Sequence, residues 1–225
     1  MMTHQAPTLL AAQLRSATRT LHADVERAGI MPGLLRGELP LPVYVALLRN
    51  LHSIYATLEP LLTGLAHDPR IGPFCRAEIF RAPALERDLT ALSSERGWLE
   101  LPVQDPTRAY VGRLLSTAED DPVRLVAHAY VRYLGDLNGG QLLARTVSRL
   151  TEGLTTPCVA FYDFGGKVAA ANHARDFRDA LDSVSLTGTE VTSVVDEAMW
   201  AFKQHGLILE ALMAPSFCAS QVLSA

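Results

Sequence analysis

Three glycines and a carboxylate interrupt what otherwise reads as a long buried helix, in the run Tyr133-Leu134-Gly135-Asp136-Leu137-Asn138-Gly139-Gly140-Gln141. Glycine costs a helix interior about 1 kcal/mol relative to alanine, a cost tolerated where the backbone must approach something flat, such as a cofactor face, more closely than a Cβ allows. Gly135, Gly139 and Gly140 read as one helical face, with the single carboxylate of the run, Asp136, beside them. Plain close packing of two helices would also suit the Gly135-x-x-x-Gly139 spacing. A salt bridge from Asp136 to Arg132, one turn earlier, is one role open to that carboxylate. More than a hundred residues earlier, Arg15, Thr18, Arg19, His22 and Glu26 recur at intervals of three or four and so share one stripe of a helix. A neutral imidazole is a common metal ligand, and a carboxylate one turn on can accept its other ring N–H and fix the tautomer. The same spacing also describes a solvated surface face.

These two constellations must be carried by helices, because apolar residues recur at helical spacing in nearly every segment and no stretch alternates long enough to argue a sheet. The expected fold is all-α and single-domain: a tail over 1–8, a domain over 9–213 and a tail over 214–225. Prolines mark the starts. Pro7 precedes a first helix running to about Ala28, Pro42 begins a second that continues through Leu62, Pro83 opens a shorter one and Pro106 another. Asp121-Pro122 pairs a capping residue with a first-turn proline, and from there the pattern runs to about Leu150. Residues 155–166, with Pro157 and Gly165-Gly166, read as a connection. Helices resume over 172–181. After Thr187-Gly188-Thr189-Glu190, a capping-box spacing, a last helix runs to about Met213.

The 225 residues suit one domain with a sizeable core, and the net charge of −4 leaves no footprint for nucleic acid. Cys75, Cys158 and Cys218 are odd in number and far apart, which suggests neither a disulfide framework nor a zinc site and fits a reducing cytoplasm. No basic segment followed by an apolar run opens the sequence, so a secretory signal peptide is not expected. The stretch 206–225 carries one charge, Glu210, but its Pro215, three serines and Gln221 make it a poor membrane span, so the expected protein is cytoplasmic and makes no membrane contact. Scans for HExxH, phosphate-binding and dinucleotide glycine loops, GxSxG and Glu-x-x-His pairs all fail.

The glycine run, with Ala127-His128-Ala129-Tyr130-Val131-Arg132 before it, resembles the distal-helix signature of the haem oxygenases. Leu14-Arg15-Ser16-Ala17-Thr18-Arg19-Thr20-Leu21-His22-Ala23-Asp24-Val25-Glu26 resembles the family's proximal helix. Two motifs so far apart that agree on one site extend the likeness over most of the chain, roughly Leu9 to Leu212. The resemblance implies a helical fold holding haem between proximal and distal helices. It further implies cleavage of that haem at a meso carbon to biliverdin, carbon monoxide and iron, with O2 as co-substrate. It implies His22 as the iron ligand, with Glu26 behind it, and Arg15, Arg19 and Arg178 as cations near the propionates. Thr18, Tyr130, Gly140 and Phe202 would touch the cofactor. On the distal side Gly135 and Gly139 form a ceiling, and Asp136, with Tyr55, orders the water that delivers protons; no histidine or arginine matches a peroxidase-type acid. Tyr55 also suits an ordinary core aromatic.

Some positions depart from the family pattern. Ala174 stands where a propionate-contacting lysine is often found, and the adjacent Arg175 points about 100° away. His205 replaces a common asparagine and Leu209 a common aromatic, changes expected to alter the propionate-side wall. No flavin, nicotinamide or iron–sulfur motif is present, so electrons would come from an external reductase or ferredoxin-like donor, and a bilin acceptor protein is a further possible partner. A non-catalytic haem-binding or trafficking protein of the same fold is the alternative, against which the retention of Asp136 and both distal glycines argues. A helical enzyme without haem is a third, against which His22, Glu26 and the arginine stripe argue.

Overall fold

The computed structural model describes residues 9–93, 97–152 and 158–213. Among these every regular element is helical: α1 Leu10–Val25, α2 Met31–Arg36, α3 Leu41–Gly64, α4 Ala82–Leu92, α5 Asp105–Asp120, α6 Leu125–Ala129, α7 Gly135–Leu150, α8 Gly166–Ser183 and α9 Gly188–Ala211, with short 3-10 turns between some of them. Helix α3 is the spine. Tyr44, Leu48, Ile54, Tyr55, Leu58 and Leu62 are fully buried along it, and it packs against α4 and α5. Its Asn50 also anchors the next layer, since the amide oxygen accepts from Gln104 N at 2.9 Å and Thr107 Oγ1 at 2.7 Å and so serves the N-terminus of α5.

Helix α1 lies along α9, and the turn after α1 grips that helix tightly. Gly29 sits at φ 49°, where a Cβ would come within 2.1 Å of Leu209 O, while the Ile30 N–H reaches the same carbonyl at 3.3 Å. Only glycine fits both the left-handed backbone and the approach. Leu209 is therefore fully buried core.

The glycine-bearing helix is not a regular α-helix throughout. Between α6 and α7, Tyr130–Leu134 forms a π-turn, which widens the helix by one residue and commonly marks functional sites. Val131, Arg132, Tyr133 and Leu134 are all buried there, so the widened turn re-aims side chains without giving up core contact.

Helix starts follow the prolines at Pro42, Pro83 and Pro106, and Thr187 and Glu190 close both arms of the capping box at 3.3 and 2.7 Å. Three expectations are corrected. The first helix stops at Val25, and the short α2 follows it. Helix α8 begins at Gly166, six residues before the expected start, behind Gly165 at φ 81°. Asp121 does not cap: its carboxylate pairs with Arg124 at 3.2 Å and accepts from Ser193 at 3.0 Å instead. The expected tails over 1–8 and 214–225, with Pro7 and Cys218, lie outside the described residues, as does Pro157. No helix among the described residues is long and apolar enough to cross a membrane.

Candidate active site

Between α1 and the π-widened helix lies a cleft of about 960 Å³, within the upper range for a small-molecule or cofactor site. Its floor is the predicted stripe: Arg15, Thr18, Arg19 and His22, with Ala11 and Ala12 a turn before, line it from α1. Its ceiling is a second stripe, Val131, Leu134, Gly135 and Asn138. A Cβ added at Gly135 or Gly139 would meet no atom within 4 Å. These glycines therefore face open space, which removes helix–helix packing as their reason.

His22 is the one imidazole in the lining, and its side chain keeps 55% of its exposure. Nδ1 faces Glu26 Oε1 at 3.6 Å, an ion-pair distance slightly long for a hydrogen bond, so Nε2 is the ring nitrogen left to the cleft. Phe202 from α9 packs beside the imidazole with ring centroids 5.9 Å apart. At one edge the cations gather. Arg15 and Arg178 both bear on Tyr130, whose hydroxyl lies 3.2 Å from Thr18 Oγ1, and Thr18 is itself tied to Leu14 O at 2.7 Å. A polar, positive rim beside an apolar slot suits a flat molecule with acidic substituents.

Behind the ceiling, Tyr55 from α3 donates its hydroxyl to Asp136 Oδ2. Burial raises the Asp136 carboxyl above the ordinary range, opposed by the charge of Arg132, the Tyr55 hydrogen bond and Arg81. Asp136 is thus a carboxyl that takes up a proton more readily than a surface aspartate. Among the described residues it forms no salt bridge with Arg132; Arg132 is buried and instead approaches His205 Nδ1 at 3.4 Å. Below it, burial pushes the Glu59 carboxyl to about 7 against hydrogen bonds from the Arg81 and Ala82 amides and from Tyr133. The Arg81 guanidinium stacks on Phe164 at 3.9 Å and donates to the Phe161 and Asp163 carbonyls.

The structure brings Arg15, Thr18, Arg19, His22, Tyr130, Gly135, Arg178 and Phe202 to one cleft, and Tyr55 to Asp136 just behind it. It does not bring Gly140 there: a Cβ on Gly140 would meet Tyr162 O at 3.5 Å and the Phe164 ring, so this glycine packs on the opposite side of α7 from the cleft. Ala174 is buried, and Arg175 is exposed and pairs with Asp176 at 3.6 Å, so neither lines the cleft. His205 does not form part of the propionate-side wall; burial carries it to Arg132 instead. Sequence reasoning missed Asn138 as a lining residue, although its place three residues after Gly135 on the same face was readable. It also missed the buried group in which His128 bridges Tyr110 and Glu197 at 3.1 Å each, since nothing local pairs residues so distant.

Comparison with known proteins agrees with this geometry. Residues 8–211 match the family described as Heme oxygenase. The chain is 31% identical to a heme oxygenase of Rhodella violacea over 91% of its own length and 87% of that protein's. Against one from Takifugu rubripes it is 30% identical, over 90% of its own length and 74% of the other's. The structure of heme oxygenase-1 from the cyanobacterium Synechocystis in complex with heme superposes with a TM-score of 0.83 at 29% identity, covering 91% of this chain and 92% of that one. With the helical cleft, the matched family and these relatives in agreement, the chain belongs to the haem oxygenase family.

Proposed function

We propose that this haem oxygenase takes haem into the cleft between α1 and the π-widened helix, with the iron on His22 and O2 as co-substrate, and opens it at a meso carbon to biliverdin. The observation that carries the proposal is the opposition of the exposed His22 imidazole on one wall to the Cβ-free, open face of Gly135 on the other, with Gly139 one turn on along the same helix equally unobstructed. Haem, as the substrate, supplies both the iron at which oxygen is activated and the carbon that is oxidised.

The chain's own residues do the rest. His22 presents Nε2 to the iron while Glu26 stands at its Nδ1 and orients the ring. Arg15, Arg19 and Arg178 hold the propionates by charge-assisted hydrogen bonds, with Tyr130 and Thr18 between them. Phe202 covers the imidazole side. Gly135 and Gly139, without side chains, leave the backbone free to approach the ring closely, and the distal residues in the lining, Tyr130, Val131, Leu134, Gly135 and Asn138, include no strong acid that would divert the chemistry away from the ring. Asp136, fixed by Tyr55, handles protons through intervening water, and its raised carboxyl suits that task. Electrons come from a separate reductase or ferredoxin-like donor docked at the basic edge, and a bilin acceptor protein could take the product.

Aerobic turnover tests the proposal. Hemin added to the purified protein should give a one-to-one complex with a Soret band. On addition of ascorbate or a reductase system in air that band should decay as biliverdin absorption grows. A complex that survives repeated reduction in air would instead make the chain a haem carrier.

A further inference from the structure

Three cations line the cleft, and they differ in how they are held. Arg15 and Arg19 have no hydrogen-bond or ion-pair partner among the described residues, so their long side chains can follow any carboxylate that arrives. Arg178 is tied twice: Nη1 donates to Ala174 O, one turn back on α8, at 3.2 Å, and Nη2 donates to Asn138 Oδ1 on α7 at 3.0 Å. A guanidinium has only donors, so the Asn138 amide must turn its oxygen to Arg178. Its NH2 is then left for the cleft, which Asn138 lines. The two ties use one N–H from each terminal nitrogen. Three N–H groups of the guanidinium, on Nε, Nη1 and Nη2, are left to meet a carboxylate.

Asn138 also sits on the ceiling stripe, three residues after Gly135, so the tie joins the wall above the ring to the cation at its edge. We propose that Asn138 is a positioning residue for the substrate: by holding Arg178 at one place it reads a propionate at one angular position, and so selects which meso carbon lies beneath Gly135 and Gly139. The inference rests on the haem-cleaving reading above. Pre-aligning a rotamer-rich side chain lowers the entropy cost of binding. Covering the pair with a flat apolar ring strengthens a hydrogen bond that water weakens in the empty cleft.

The test uses the full chain loaded with hemin and four proteins: wild type, Asn138→Ala, Arg178→Ala and the double variant. Hemin release is followed by transfer to excess apomyoglobin, and biliverdin isomers are separated after ascorbate turnover. Asn138→Ala should release hemin about tenfold faster, as expected for loss of a hydrogen bond to a charged group. Its apoprotein should melt within ~2 °C of wild type, and its product should become a mixture of isomers. The double variant should release hemin no faster than Arg178→Ala alone, because Asn138 acts through Arg178. Release at the wild-type rate, independent multiplication of the two effects, or an unchanged isomer composition in Asn138→Ala would each overturn the proposal while leaving the haem-cleaving reading intact. Failure of the wild-type protein to take up hemin would remove that reading itself.

Discussion

At the scale of single residues, the site divides into groups that hold the substrate and groups that handle protons, and substitution should separate them. Asp136→Ala should lower biliverdin formed per reducing equivalent by about 10²-fold, the usual worth of a positioned acid or base, while the hemin titration stays within about threefold of wild type. Equal biliverdin yield would remove Asp136 from the proton path. Tyr55→Phe strips the donor that fixes Asp136 and should cost about tenfold in the same assay. His22→Ala should shift the Soret band, and added imidazole should restore it; an unchanged spectrum would place the iron elsewhere. These roles were unevenly legible. A carboxylate among helical glycines stands out in the sequence, and so does a histidine on an arginine stripe. The Tyr55–Asp136 contact spans 81 positions and is made only when α3 packs beneath the π-turn. His205 was misplaced for a related reason: helix periodicity sets its face on α9, but which neighbour fills that face is decided by burial, which delivers it to Arg132.

At the scale of elements, the π-widened helix is the part whose local cost only function explains. Glycine weakens α7, and at Gly135 and Gly139 no packing neighbour compensates, since a Cβ there meets nothing. Gly139→Ala should therefore stabilise the apoprotein by up to about 1 kcal/mol and at the same time weaken hemin binding or slow turnover. A variant both less stable and catalytically normal would contradict the ceiling assignment. The glycine run was readable as a flat face, but Gly140 was grouped with it wrongly: the helix turns it toward Tyr162 and Phe164. Proline announced the starts of α3, α4 and α5 because it fits a first turn and little else in a helix. The start of α8 was hidden, since Gly165 and Gly166 read as punctuation while the chain uses the first as a left-handed cap. The π-turn leaves no composition signal, because it differs from α-helix by one residue of register and not by residue type.

At the scale of the whole molecule, two buried carboxyls are shifted in opposite directions and tie its stability to pH. Glu197 resists burial through hydrogen bonds from His128 and Arg113 and is held down at about 2, with Arg113 at 2.7 Å and Arg124 at 3.3 Å from its Oε2. Its contribution is complete above its ordinary 4.5 and is lost only as pH falls towards 2. Glu197→Ala takes the carboxylate from the buried His128 Nε2 and from the half-buried Arg113 and Arg124, and should cost about 3 kcal/mol in a urea melt. Glu59 behaves inversely. With its carboxyl pushed up to about 7, its contribution is complete below 4.5 and disappears as pH rises through 7. The wild-type urea midpoint should thus fall between pH 5 and 8 more steeply than that of Glu59→Gln, and parallel profiles would contradict the shift. All this charge lies behind the cleft, where it holds the scaffold, and leaves the chemistry to the two facing stripes. The most direct test of that chemistry is the carbon monoxide released in a single turnover of the hemin complex with ascorbate in air, trapped by ferrous myoglobin. Close to one molecule for each haem consumed is expected in the wild type, and a large deficit in Asp136→Ala. Soret loss without carbon monoxide in the wild type would mean that the haem is bleached, not cleaved at a meso carbon.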